Sequence, residues 1–331
     1  MFSQHISPLG IPQCDMDMCH RVASIIMAYA FDIPEDKTTE PVEGNTNSED
    51  QEEELVSDDG EDEQTVLSMI PLADMLNADA DRNNARLCCD NEELEMRTIK
   101  PITKGEEVLN DYGQLPRSDL LRRYGYVTEQ YAGYDIAEIS TESILAPFRN
   151  ANALQPSLQS LRLTEKQLQE RLELAEREGV YEESYDLAHA GDEGPSIPDE
   201  LLALVFILLV DEETLASIAH SQSSLPSRPK LATELAGQFL VKALQMRERG
   251  YSTPLEDDER MLRAKNLPNR TMMAIEVRLG EKMIIKEAIQ EARSFVGSNK
   301  HMIGFQNAQT EGLNKKRKAE EAITSRRKKQ K

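Results

Sequence analysis

MIPLADMLNADADRNNARLCCDNEELEMRTIKPITKGEEVLNDYGQLPRSDLLRRYGYV, residues 69–127, is the stretch in which strand patterning, turn residues and closely spaced tyrosines coincide. Ala85 to Cys88 and Leu94 to Ile99 are short β-prone runs separated by Asn91-Glu92-Glu93, the pattern of a hairpin. Lys104-Gly105 then turns the chain into Glu107-Val108-Leu109, a third strand ending at Tyr112. Ser118 to Tyr124 fits a helix of one to two turns opened by Ser118 as its cap. Just upstream, Val66 to Asn77 reads as a short buried segment. Strand signals therefore cluster between residues 85 and 112.

Outward from this stretch the character of the chain changes twice. On the N-terminal side, Val22, Ile25, Ile26 and Tyr29 recur at helical spacing within Cys19 to Phe31, predicting a helix that lays one apolar stripe on a core and ends at Pro34. Glu35 to Glu63 then carries fourteen acidic residues and one Lys. With no aromatic residue and no periodicity it offers too little apolar surface to offset the entropy of ordering, and a disordered insertion is expected. On the C-terminal side, helical periodicity fills 164–178, 198–219, 229–249 and 270–296. Thr164-Glu165-Lys166-Gln167 and Thr253-Pro254-Leu255-Glu256 both fit the capping-box pattern. Gly191 to Pro198 interrupts the helices, and beyond Phe305 the chain turns polar and basic.

Composition narrows the function classes. The 331 residues carry a net charge of −22, which repels nucleic acid everywhere except at the basic C-terminal tail and favours cationic partners such as histones or ribosomal proteins. No specific nucleic-acid recognition is expected. Cys14, Cys19, Cys88 and Cys89 form no CxxC pair, so reduced thiols in an intracellular compartment are expected. The five His show no metal-ligand spacing, and Asp74, Asp79 and Asp81 lack the Gly and Glu of a calcium loop, so no metal site is expected. Leu201 to Val210 has ten apolar residues, half of the ~20 needed to cross a bilayer, and reads as a buried helix. Lys315-Lys316-Arg317-Lys318 and Arg326-Arg327-Lys328-Lys329 have the form of a nuclear localisation signal, which predicts an importin partner and a nuclear, partly cytoplasmic, distribution.

The order Pro71-Leu72-Ala73-Asp74-Met75-Leu76-Asn77, then Asn110-Asp111-Tyr112-Gly113, then Arg123-Tyr124-Gly125-Tyr126 resembles the catalytic half of a SET-domain protein-lysine methyltransferase. Met27-Ala28-Tyr29-Ala30-Phe31, the acidic insertion and the helical region with Ala274-Ile275-Glu276-Val277-Arg278-Leu279-Gly280-Glu281-Lys282 resemble the Rubisco-methyltransferase-like group, in particular its SETD-six and fungal ribosomal-lysine methyltransferase 4 branch. The resemblance implies an α+β fold in which a partial SET β domain with an acidic insertion is followed by an all-α substrate-binding domain. Its expected segments are a remnant of the SET insert helix region at 1–34, the acidic insertion at 35–64, the C-terminal half of the SET domain at 65–135, the helical substrate-binding domain at 136–305 and a basic disordered tail at 306–331. It further implies S-adenosylmethionine as cofactor and a protein lysine, on a ribosomal protein, as acceptor.

By the same resemblance Tyr112 is the catalytic Tyr at the methyl-transfer pore, and Tyr124 lies beside the cofactor. Asn77 and Ala78 hold the cofactor, with Ala78 standing where the family carries His and leaving only backbone contacts. Tyr29 faces the cofactor or the substrate lysine, and is taken as substrate-binding. The chemistry suits these residue types. A free lysine has a pKa of ~10.4, so deprotonation at pH 7 costs roughly 4–5 kcal/mol unless apolar, aromatic walls favour the neutral amine. The family's SET domain opens on a Gly-x-Gly loop, whereas Gly10 is the only Gly before Gly44 here. The expectation is thus a chain that holds the second half of the domain and binds S-adenosylmethionine poorly. The alternative function is a non-catalytic module whose helical domain binds a basic nuclear partner.

Overall fold

The computed structural model describes residues 15–34, 65–90, 93–149, 163–191, 194–220, 225–264 and 266–303. The acidic insertion, the hairpin tip at 91–92 and both basic clusters lie outside the described residues. The chain divides into two compact units, Met1–Tyr134 and Asp135–Lys331.

The first unit is built from short elements. Helix α1 (Met16–Tyr29) opens with Asp15, whose side chain accepts from the Met18 N–H. The chain then runs directly into β1 (Ala30–Pro34), which pairs antiparallel with β2 (Thr65–Met69). The helical spacing was read correctly, but its packing was not: α1 has no buried residue, and Val22, Ile25 and Tyr29 are exposed. Periodicity reports that one helix face is apolar, not that something covers it. The segment from Val66 is likewise a mostly exposed strand rather than a buried run.

The hairpin forms as β4 (Ala85–Asp90) and β5 (Glu93–Thr98), with Asp90 opposite Glu93, a turn one residue tighter than Asn91-Glu92-Glu93 suggested. The third strand shrinks to β6 (Leu109–Asn110), which pairs parallel with β3 (Asn77–Ala78). Helix α2 (Arg117–Tyr124) is capped by Pro116 and not by Ser118. The Pro116 carbonyl already accepts the Asp119 and Leu120 N–H groups, so the helix starts before Ser118 can cap it. Gly125, at φ 79°, ends α2 in the left-handed conformation.

Among its described residues the second unit is mainly helical, with one ribbon, β7 (Ile136–Ser140) with β8 (Ser184–Ala188). The expectation of an all-α region missed it because the two alternating pentads, with Ala137, Ile139, Tyr185 and Leu187 inward, are separated by more than forty residues. The helices are α3 (Thr141–Arg149), α4 (Glu165–Arg177), α5 (Asp199–Leu209), α6 (Glu212–His220), α7 (Arg228–Leu231), α8 (Glu234–Glu248), α9 (Leu255–Arg263) and α10 (Asn269–Arg293). Every residue from Leu201 to Leu209 is buried, so α5 is the central helix, apolar all round because it is surrounded. Each of its larger side chains contributes about 1.5–3 kcal/mol of burial. The Arg171 guanidinium, itself buried, donates to the Ile207 carbonyl at 2.6 Å and so places a cation at the C-terminal end of α5. Thr164 and Gln167 make the expected reciprocal capping box on α4. Thr253 does not: Pro254 caps α9, and the Thr253 hydroxyl donates to Asp258 instead.

Helices α8 and α10 pack closely because Gly237 presents no side chain. A Cβ there would stand 2.2 Å from the Ala292 carbonyl oxygen and 3.0 Å from the Phe295 Cβ. Ala favours a helix over Gly by about 1 kcal/mol, but the obstructing atom is backbone and cannot turn away. Gly237→Ala is therefore expected to destabilise the chain by about 1–3 kcal/mol, read as a lower denaturant midpoint. A midpoint that rises would show that the helices separate without cost.

Candidate active site

Four of the five residues singled out in the sequence converge on the β3–β6 pair of the first unit. Asn77 and Ala78 form β3, in register with Leu109 and Asn110, and Tyr112 follows β6 by two residues. The Tyr112 hydroxyl donates to the Leu76 carbonyl at 2.6 Å, immediately before Asn77. Its ring stacks on Tyr124, the last residue of α2, with centroids 4.5 Å apart and planes 24° from parallel. Both rings, with Tyr126 and Tyr134, pack around buried Leu115, Leu120 and Tyr131.

Burial pushes the Tyr112 hydroxyl up to about 12, and the neighbouring Tyr124, Tyr126 and Tyr29 and the Asp74 carboxylate add to the rise. The group is consequently a protonated donor at neutral pH. Tyr29, the fifth residue, closes α1 and is 47% exposed. It acts on Tyr112 through electrostatics, and no hydrogen bond joins the two among the described residues. Asn77 is exposed, and its carboxamide donates to a Glu107 carboxylate oxygen at 2.7 Å. Leu72, at φ 80°, is a non-glycine residue in the left-handed region, held there by its N–H donating to Asp74 Oδ1 at 3.0 Å.

Several residues that position this site were not singled out beforehand. Tyr131 is 1% exposed, and its hydroxyl accepts the Ala80 N–H at 2.8 Å; burial raises its pKa. Asp79 caps its own loop, accepting from the Asp81 and Arg82 N–H groups and from the Arg82 guanidinium. Burial works to raise its pKa, but the Arg82 bonds outweigh burial and hold it below the usual carboxylate range. Asn84 binds Leu109 of β6 and the Glu107 carbonyl just ahead of it. The Asx-turn spacing of Asp79 to Arg82 is a signal that sequence alone could have supplied; the Tyr131 and Asn84 bonds, which span 51 and 25 residues, had none.

Comparison with known proteins finds likenesses in both sequence and fold. The SET domain family profile matches residues 9–113, and the Rubisco LSMT substrate-binding profile matches residues 162–285. The chain is 38% identical over 194 residues to "Ribosomal lysine N-methyltransferase 4" of Saccharomyces cerevisiae, covering 57% of this chain and 36% of that protein. It is 26% identical over 302 residues to human "N-lysine methyltransferase SETD6", covering 83% of this chain and 55% of that protein. It thus spans between about a third and just over half of the length of these relatives. Among solved structures, that of Rubisco LSMT bound to AdoMet matches with a TM-score of 0.53 at 16% identity, over 88% of this chain and 58% of that one, a likeness of fold. Matched in order along one chain, the two profiles assign it a SET domain followed by a Rubisco LSMT-type substrate-binding domain.

Proposed function

We propose that the chain is an S-adenosylmethionine-dependent protein-lysine N-methyltransferase whose acceptor is a ribosomal protein. The observation that carries the reading is the placement of the Tyr112 hydroxyl: protonated, stacked on Tyr124 and tied to the Leu76 carbonyl directly before Asn77. The ribosomal acceptor is supported by the names of the fungal relatives, and by a net charge of −22 that attracts basic proteins. The comparisons lend no support to the non-catalytic alternative.

The residues present fit a sulfonium cofactor in their chemistry. The stacked Tyr112 and Tyr124 rings, the Asp74 carboxylate that acts on Tyr112 and the Glu107 carboxylate bonded to Asn77 are groups of the kind that attract a cation. Asn77, Ala78 and Tyr124 would hold the cofactor, which when bound supplies an electrophilic methyl group. Tyr112 does the remaining work. Its proton is committed to Leu76, so its oxygen lone pairs are left to accept from the lysine amine and orient it. A hydroxyl whose pKa is about 12 stores no phenolate near neutrality, and the acceptor lysine must arrive as the neutral amine. Transfer should therefore accelerate with rising pH.

The site is open on one side: Tyr29, Leu72 and Met75 are 47%, 82% and 76% exposed. Ligand sites commonly enclose about 70–90% of their ligand, so a dissociation constant for S-adenosylmethionine well above the low-micromolar range is expected by calorimetry. At saturating labelled cofactor, label should enter a lysine of purified ribosomal proteins and increase with pH. Absence of both heat and label would overturn the reading.

A further inference from the structure

The parallel pair that organises the site is only two residues long on each strand, too short to hold its own geometry against a thirty-residue excursion. Asn84 supplies what the pair lacks. It is 3% exposed, and hydrogen bonds to both its side chain and its backbone converge on it. Its Oδ1 accepts the Leu109 N–H at 2.8 Å, and its Nδ2 donates to the Glu107 carbonyl at 2.8 Å. Its own N–H donates to the Leu109 carbonyl at 3.0 Å, and its carbonyl accepts the Ile99 N–H at 2.9 Å, which ties β6 to the end of the β4–β5 hairpin. An N–H can only donate and a carbonyl can only accept, so the side chain must offer one donor and one acceptor in fixed directions. Glu107 completes the connection, because its carboxylate accepts from the Asn77 side chain while its main-chain carbonyl accepts from Asn84.

We propose that Asn84 is a positioning residue for methyl transfer: it fixes the strand that delivers Tyr112 against the strand that carries Asn77 and Ala78. The proposal rests on the methyltransferase reading. No hydrogen bond joins Asn84 to the Tyr112 hydroxyl among the described residues. It acts through Leu109 and Glu107, and its loss should lower the rate constant more than it raises the KM for either substrate.

Asn84→Asp in the full chain provides a reversible test. Protonated, the new carboxyl reproduces the two strand bonds, its hydroxyl donating to the Glu107 carbonyl and its carbonyl oxygen accepting from Leu109, and only the lesser bond to the Glu106 carboxylate is lost. Ionised, it has no donor and faces the Glu107 carbonyl and the Glu106 carboxylate. Glu106 itself is held below the usual range, chiefly by the Thr103 N–H and hydroxyl, with the Asn84 amide as a lesser contributor. The Glu107 carboxylate lies across the same bond network, and Asp111 reaches the loop through Asn83. All these neighbours favour the protonated form of the new group.

The expected result is a kcat for Asn84→Asp reduced roughly 10- to 100-fold at alkaline pH, with its ratio to wild type climbing steadily as pH is lowered. Asn84→Ala should show a comparable loss with no such recovery. Hydrogen exchange of the Leu109 and Asn110 amides provides a readout that needs no turnover. Relative to wild type, exchange should be faster in Asn84→Asp at high pH and return towards wild type at low pH. An active wild type with a pH-independent Asn84→Asp ratio, or with unchanged Leu109 exchange, overturns this proposal alone. A wild type that transfers no methyl group overturns the functional reading, and the positioning role with it. If Asn84→Ala fails to fold, the Asn84→Asp ratio and exchange still decide.

Discussion

Tyr112→Phe should lower methyl transfer by roughly 10²–10³-fold, the scale of removing one preorganised hydrogen-bonding group from a reacting centre, while barely changing the melting temperature. The two effects separate because one residue does two jobs. The ring, stacked 4.5 Å from Tyr124 and packed with Tyr126 near Leu115 and Leu120, survives the substitution. The hydroxyl and its bond to the Leu76 carbonyl do not. Losing that bond costs about 1 kcal/mol of stability, whereas a hundredfold slower step corresponds to about 2.7 kcal/mol of barrier. A second signature follows from the raised pKa. Tyr112 titrates only near pH 12, so the acceleration with pH belongs to the lysine amine and should persist in Tyr112→Phe at its lower level. Unchanged transfer would remove Tyr112 from the reacting centre, and a profile that loses its rise with pH would assign the titration to the phenol.

What could be read beforehand follows a physical dividing line. Local signals were legible: the capping box at Thr164, the hairpin and the apolar run that became α5 each lie within a window that one element spans. Long-range pairing was not. Nothing in Leu109-Asn110 announces a parallel partner thirty-two residues earlier, and the β7–β8 ribbon stayed hidden behind the helices between its strands. The α1 stripe illustrates a further limit, since an amphipathic period is an intrinsic property of the segment while its burial depends on what stands opposite. The sequence named candidate residues, and the structure supplies the geometry that brings four of them together. Tyr131 and Asn84 hold it through backbone groups, and a backbone group carries no residue identity for a sequence reading to detect.

Asp258→Ala should be the most destabilising single change in the second unit, at about 3–5 kcal/mol. Asp258 is fully buried, and Lys282, 1% exposed, lies against it with Nζ 2.5 Å from Oδ2. Arg278 binds the same carboxylate at 2.5 and 2.9 Å, and the Thr253 hydroxyl donates to it at 2.7 Å. Lys282 also donates to the Thr253 carbonyl at 2.6 Å and lies 5.1 Å above the Tyr251 ring. This network fastens the start of α9 to the middle of α10. Removing the carboxylate leaves the Lys282 ammonium buried without its counter-charge, and that cost outweighs any surface pair in the chain. The pH dependence carries the sign. Burial by itself would raise the Asp258 pKa, but the bonds from Arg278, Lys282 and Thr253 prevail and bring it down to about 2. A depressed folded-state pKa gives stability that is fully present above the unfolded value of about 3.9 and is lost as pH falls towards 2, amounting to about 2–3 kcal/mol. Denaturant unfolding of the full chain, followed by helical circular dichroism between neutral pH and pH 2, measures both quantities. Asp258→Asn should show a flatter acid limb than wild type, because the group that titrates has gone. An Asp258→Ala cost below about 1 kcal/mol, or an acid limb identical in Asp258→Asn and wild type, would mean that the network adds no net stability and that the packing of α9 on α10 holds without it.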